Sequence, residues 1–231
     1  SAEAADGQDT IGGDLTWSSS DPDVLEVDET TGAVTVGKAG SATITVTFSS
    51  DEYYGTATWP AQVAPKSVTA SGITADDKTY DGNTDATLSF TTAVLEGKLD
   101  GDELSVTATG TFADKNAGTD KTVTISGLEL TGAAKDNYVL AATGQQTTTT
   151  ATIDKKELAV SGVNARDKSY DGTTNVDLTS VGLTYTGLVG GDTVSASISG
   201  AFADKNVGTA KTVNITYTLA GADKDNYIPG G

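Results

Sequence analysis

The nine residues DKTYDGNTD, Asp77 to Asp85, return almost unchanged as DKSYDGTTN, Asp167 to Asn175. Tyr80 matches Tyr170, Asp102 matches Asp192, Phe112 matches Phe202 and Lys121 matches Lys211, each pair at the same offset of 90 (170 − 80). A chain with this recurrence must fold the same way twice. The period is longer than the roughly 20 to 50 residues of a solenoid unit, so each copy reads as one complete small domain. In order, each copy carries DK[TS]YDG, then Gly-Asp (Gly101-Asp102, Gly191-Asp192), then G[TA]FADKN[AV]GT, then KTV, then KDNY (Lys135 to Tyr138, Lys224 to Tyr227). The first copy runs on through VLAATGQQTTTTATIDKK, whose Thr-rich stretch reads as a closing strand. The second stops at IPGG, and that strand is expected to be missing from it.

Between these motifs, SATITVTF (Ser41 to Phe48), LSVTATG (Leu104 to Gly110) and KTVTISG (Lys121 to Gly127) alternate apolar with small polar residues. Period-two alternation in β-branched residues marks strands with one buried and one wet face. Gly, Asp and Asn clusters such as ETTGA, EGKLDGDE and VGGD break the runs with turn chemistry, as in sandwiches. VLEGKLDGDEL (Val94 to Leu104) carries no helical stripe. The expected fold class is all-β: tandem small Ig-like β-sandwich domains in an elongated array. AQVAPK (Ala61 to Lys66) and ATIDKKEL (Ala151 to Leu158) join them strand to strand, with almost no flexible spacer.

Charge and missing residue types narrow the chemistry. With 14 Lys and Arg against 32 Asp and Glu, the net charge is −18, which repels phosphate backbones and anionic lipids; neither nucleic acid nor membrane insertion is expected. Cys, His and Met are absent, which removes thiol nucleophiles, His-based triads and zinc sites built on Cys or His. No run approaches the ~18 apolar residues of a membrane-spanning helix, and no signal peptide opens the chain, which reads as a mature or excised soluble piece of a longer array. Paired carboxylates could in principle cleave glycosides. None lies in an apolar, aromatic-lined segment, and aromatics are only 6% of the chain, so no catalytic residues are assigned.

Tyr80 and Tyr170 each follow an alternating run, so each ring is expected to be buried with its hydroxyl paired. Asp81-Gly82 and Asp171-Gly172 supply the turn: the carboxylate accepts nearby amides and glycine takes positive φ. FADKN reads as a buried Phe112 or Phe202 at a strand end, with Asp and Asn capping the turn. No cofactor is expected. Calcium is the one ion the spacing could serve, through Asp81, Asn83 and Asp85 of DGNTD, or through Asp21, Asp23, Asp100 and Asp102. DGNTD has no sixth-position glycine and no bidentate glutamate, so it is no EF-hand.

Taken together, the motifs over residues 66 to 231 resemble the YDG repeat of large bacterial surface proteins and filamentous haemagglutinin-like adhesins. LTWSSSDPDVLEVDETTGAVTVGKAGSATITVTF (Leu15 to Phe48) is similar to the bacterial Ig-like group 2 module of intimin- and invasin-type adhesins and of some secreted enzymes. SSDEYYGTATWPAQV then resembles its last hairpin, while the residues before Leu15 look too short and polar to supply opening strands. The expected domains are an Ig-like module over residues 1–65, a first YDG-type repeat over 66–155 and a second over 156–231. Surface adhesins of this kind use isopeptide crosslinks in place of disulfides, which singles out Lys78 with Asn137 and Asp102, and Lys168 with Asn226 and Asp192.

The resemblance implies a non-enzymatic, extracellular stalk or multivalent adhesion array on a bacterial surface. Its expected partners are a host or matrix protein or glycan, and neighbouring domains of the same chain. The alternative is an accessory or carbohydrate-binding module of a secreted enzyme, for which Tyr53, Tyr54 and Trp59 would be the glycan-facing aromatics; core packing accounts for Trp17.

Overall fold

The structure, a computed structural model, describes residues 2–5 and 10–230, with residues 2–5, 10, 11 and 181 described as backbone alone. It is all-β, as the alternation dictates. Among the described residues the only helical turns are two 3-10 turns, Lys135–Asn137 and Lys224–Asn226, both in the KDNY motif. The chain divides into two compact units whose boundaries cut through the first repeat. One comprises Ser1–Ile73, Phe90–Ala108 and Gly127–Gln146; the other comprises Thr74–Ser89, Thr109–Ser126 and Thr147–Gly231.

In the first unit, Ala2–Ala5, Thr10–Ser19, Gly40–Ser49 and Tyr54–Val63 form an antiparallel sheet in sequence order. The residues before Leu15, expected to be too short and polar for strands, do form them. Ala2 lies opposite Gly13 and Ala5 opposite Thr10, because ladder hydrogen bonds need only backbone and a suitable turn. Val24, Leu25, Ala42 and Ile44 are buried against Trp17, Ala61 and Val63. Gly32 takes φ +72 where a Cβ would lie 2.6 Å from the Trp17 ring, so only glycine lets the TTGAV turn cover the indole. A second sheet places Lys66–Ser71 between Val94–Glu96, antiparallel, and Tyr138–Leu140, parallel. Its core is Val68, Leu104 and Tyr138.

The second unit carries a sheet ordered Asp85–Ala86, Ser105–Phe112, Gly118–Thr131, Thr148–Asp154 and Lys78–Thr79, of which the second and third strands begin or end in the first unit. Lys156–Ala165 pairs antiparallel with Leu178–Thr186 and parallel with Tyr227–Pro229. Tyr227 faces Lys156 as Tyr138 faces Lys66, so the repeat is one of topology as well as sequence. Ser195–Phe202 and Val213–Ala220 form a hairpin in unbroken register. Tyr80, Phe112, Val123, Ala151, Ile153, Leu158 and Tyr227 make the buried core.

The matched tyrosines differ. Tyr80 is 1% exposed as expected, but Tyr170 is 64% exposed, and Phe202 is only half-buried where Phe112 is 2% exposed. Tyr80 and Phe112 are packed against Ala151 and Ile153 of the Thr148–Asp154 strand and against Tyr227, neighbours that come from outside the motif itself.

Candidate functional site

The polar cluster that joins the two repeats lies in the second unit, around Asp192, whose side chain is 2% exposed. Its carboxylate accepts hydrogen bonds from Tyr227 Oη at 2.6 Å, Tyr80 Oη at 2.8 Å and Lys115 Nζ at 3.2 Å. The Tyr227 hydroxyl in turn accepts the Val189 N–H at 2.9 Å. The Tyr80 and Tyr227 rings meet edge to face at 5.5 Å, and the Lys115 ammonium stands 5.9 Å above the Tyr80 ring. Beside them Asn226, 3% exposed, accepts the Ala117 N–H at 2.9 Å through Oδ1.

Local backbone places these groups. Gly191 turns at φ +92 and delivers Asp192. Gly221 turns at φ +107, where a Cβ would lie 2.3 Å from the Thr193 carbonyl, and opens the one-turn helix that presents Asn226 and Tyr227. Tyr80, Lys115 and Ala117 belong to the first repeat; Asp192, Asn226 and Tyr227 belong to the second. The YDG and FADKN motifs of one copy therefore receive the Gly-Asp and KDNY motifs of the next.

Burial pushes the Asp192 carboxyl up, but hydrogen bonds from Tyr227, Tyr80 and Lys115 outweigh it and hold its pKa below the ordinary value. Burial and then the bond to Asp192 raise Tyr80, and the same two causes push Tyr227 up to about 12. Lys115, held by the Tyr80 hydroxyl and the Asp192 carboxylate, rises to about 12. At neutral pH the carboxylate is ionised, the phenols protonated and the ammonium charged. The three donors that saturate the carboxylate clamp two modules together.

The first unit holds the same elements. Tyr138 donates its hydroxyl to Asp102 and accepts the Leu99 N–H at 3.0 Å, and Asn137 Oδ1 accepts the Ala39 N–H at 2.8 Å. Ala39 sits in Lys-Ala-Gly and Ala117 in Asn-Ala-Gly, so the asparagine of KDNY takes the amide of an Ala-Gly pair twice. Sequence reading missed Lys115, Ala117 and Ala39, although the recurrence of KDNY ahead of a strand signalled that its Asn had a fixed task.

The two crosslink sets are not assembled. Lys78 lies in one compact unit and Asn137 and Asp102 in the other. Lys168 Nζ donates to Asp171 and Thr173, while Asn226 and Asp192 serve the joint just described. The oxygens that suggested calcium also have another role. Asp81 Oδ1 at 2.9 Å, Asn83 Oδ1 at 2.8 Å, and the Asn83 and Asp85 carbonyls at 3.1 and 3.0 Å converge on Lys78 Nζ, which stands 5.5 Å above the Phe112 ring.

DGNTD thus wraps an internal ammonium, and the turn forms as expected: Asp81 Oδ1 accepts the Asn83 N–H, with Gly82 at φ +84. Lys168, Asp171 and Gly172 repeat the arrangement, and Lys168 holds the Asp171 carboxyl down to about 2. Among the described residues Asp21, Asp23 and Asp100 join no group of three or more metal-type ligands. Excess EDTA is accordingly expected to leave every thermal transition unmoved; a lower midpoint that calcium restores would refute this account of the loop.

Tyr53, Tyr54 and Trp59 are all exposed, but Tyr54 and Trp59 are five apart (59 − 54) on one regular strand. An odd separation puts them on opposite faces, so they do not make one sugar platform. Trp59 instead stacks on Trp17, ring centres 6.3 Å apart.

These motifs and this joint now meet the comparisons with known proteins. A family model described as the YDG domain matches residues 64–150 and again residues 154–229. The chain belongs to the YDG domain family. A bacterial Ig-like domain (group 2) matches residues 2–54, ahead of the two YDG copies, the arrangement expected from the motifs. Both are non-catalytic module types. No curated protein matches the chain. Among solved structures, that of surface layer protein SbsC, domains 4-9, aligns at 12% identity and a TM-score of 0.24. The alignment covers 100% of this chain and 42% of that one, and so low a likeness carries no argument. The clamp around Asp192 lies between the two YDG copies, with Tyr80 of the first copy's YDG motif as one of its donors.

Proposed function

We propose that the chain is a non-catalytic structural segment of a bacterial cell-surface protein, working as a semi-rigid stalk that spaces other domains or presents repeated contacts to a host surface. The observation that carries this reading is the Asp192 clamp, in which four side chains from two successive repeats lock one module end against the next. The joint has little slack, since only Lys155 separates the Thr148–Asp154 and Lys156–Ala165 strands. The high negative charge supports solubility outside the cell and keeps like chains apart.

The chain has no native cysteine, so spin labels at Thr87→Cys and Ser199→Cys would report the first and second YDG copies alone. A single narrow distance distribution is expected, broadening when Asp192→Ala is added. A broad distribution in the parent chain would overturn semi-rigidity, and a specific glycan-array signal lost with Tyr54→Ala or Trp59→Ala would move the chain to the carbohydrate-binding class.

A further inference from the structure

In the first YDG copy the Thr148–Asp154 strand closes the domain. It runs antiparallel to Gly118–Thr124 and parallel to Lys78–Thr79, with Ile153 facing both Gly118 and Lys78. Ala151 and Ile153 are buried beside Tyr80, Phe112 and Val123. The strand's ends are fastened: Thr152 N–H donates to Asp77 Oδ1 at 2.6 Å, and Tyr80 N–H donates to the Asp154 carbonyl at 2.8 Å.

At the matching place in the second copy is a cavity of about 430 Å³ lined by Asp167, Lys168, Tyr170, Phe202, Lys211 and Val213. These are the counterparts of Asp77, Lys78, Tyr80, Phe112, Lys121 and Val123, the residues around the closing strand in the first copy. The backbone on both sides differs in the same sense. Lys78–Thr79 is a strand and Lys168–Ser169 is not; residues 118–122 are strand and residues 208–212 are not. Among the described residues Val213–Ala220 pairs only with Ser195–Phe202. Val123 is fully buried where Val213 is half-buried.

We infer that this cavity is a strand-acceptor site, and that its occupant is an extended segment of the same repeat type, with the chemistry of Thr148–Asp154. It adds antiparallel to the 208–214 segment by β-augmentation. Two inward positions, small then aliphatic, fill the space over Phe202 and Val213, and threonines face solvent. The Asp167 carboxylate accepts an amide of the incoming strand, and Tyr170 N–H donates to its last carbonyl. Filling the slot covers the Tyr170 ring and readies it, with Lys205 and Val207, for the clamp that Tyr80, Lys115 and Ala117 already make. The docking surface thus recognises a strand by alternation and small inward side chains, with main-chain bonds supplying affinity.

The test uses the full chain in two arms. In one, a peptide with the sequence Gln146–Lys155 is added in trans; in the other, the sequence Thr143–Lys155 is fused after Gly231, which reproduces the spacing of the first repeat. The expected result in the fused arm is that amide exchange over residues 208–213 slows by at least about tenfold, with a rise in the melting midpoint of the second repeat. The peptide arm is expected to show saturable protection of the same amides. Carrying Ile153→Asp in either added sequence should abolish the effect. Unchanged exchange in both arms, or equal protection by the aspartate version, would overturn the inference.

Discussion

Tyr80→Ala is expected to destabilise the second unit by about 3–5 kcal/mol, the cost of removing a large buried aromatic. Tyr170→Ala, at the same place in a nearly identical nine-residue string, is expected to change stability by no more than about 0.5 kcal/mol. The difference comes from burial: Tyr80 is 1% exposed and packed on Phe112, Ile153 and Tyr227, while Tyr170 is 64% exposed. Tyr80→Phe separates the ring from its hydroxyl. It keeps the packing and removes one bond to Asp192, for a loss of about 1–2 kcal/mol. Denaturant unfolding followed by near-ultraviolet dichroism measures all three, and equal effects of the two alanine variants would refute the packing account. In a chain carrying the fused closing strand, Tyr170→Ala should become costly, because the same ring would then be covered.

The second large effect is Asp192→Ala, expected to cost about 2–4 kcal/mol. The loss falls mainly on the Tyr80 and Tyr227 hydroxyls, which stay inside the joint with no carboxylate to receive them. Lys115 adds little to it, since its side chain is 41% exposed and can turn to water. The sign of the pH dependence follows from the shifts. Asp192 has a folded pKa below its ordinary 3.8, so its contribution is present above that value and lost as pH falls through the lower folded one. Tyr227 and Lys115 are raised to about 12, so theirs are complete below the ordinary values of 10.0 and 10.5 and fade as pH climbs through about 12.

The melting midpoint of the second unit should therefore be flat across neutral pH and fall at both ends. In Asp192→Ala the acid limb should be shallower. An acid limb of the same slope in the variant would show that other carboxylates carry it.

Much of this architecture is legible from neighbours in sequence. The Ser105–Phe112 strand reads directly from its alternation, because period two is a property of a single strand and its burial pattern repeats it. The turns at Asp81-Gly82 and Asp171-Gly172 read equally well, since the carboxylate and the amide it accepts are two residues apart. The joint was only half visible. Asp102, Asp192, Asn137 and Asn226 stand out by recurrence, but recurrence pointed to a crosslink with Lys78 and Lys168. Those lysines are bound within five to seven residues of themselves, by Asn83 and Asp85 in one copy and Thr173 in the other. The lysine that does reach Asp192 comes from 77 positions away, and no local pattern marks it.

The sequence alone determined that the chain is all-β, that it folds one module twice, and where in each module the YDG turn falls, because these depend on residues close along the chain. Only the tertiary structure decided what each YDG motif does. In the first copy, Tyr80 and Phe112 are buried by a closing strand and by the Asp192, Asn226 and Tyr227 of the following repeat. In the second, the same letters stand at an open slot. Burial is a property of what is packed against a residue, and for both tyrosines that lies some 70 to 150 positions away or on a strand still to be added.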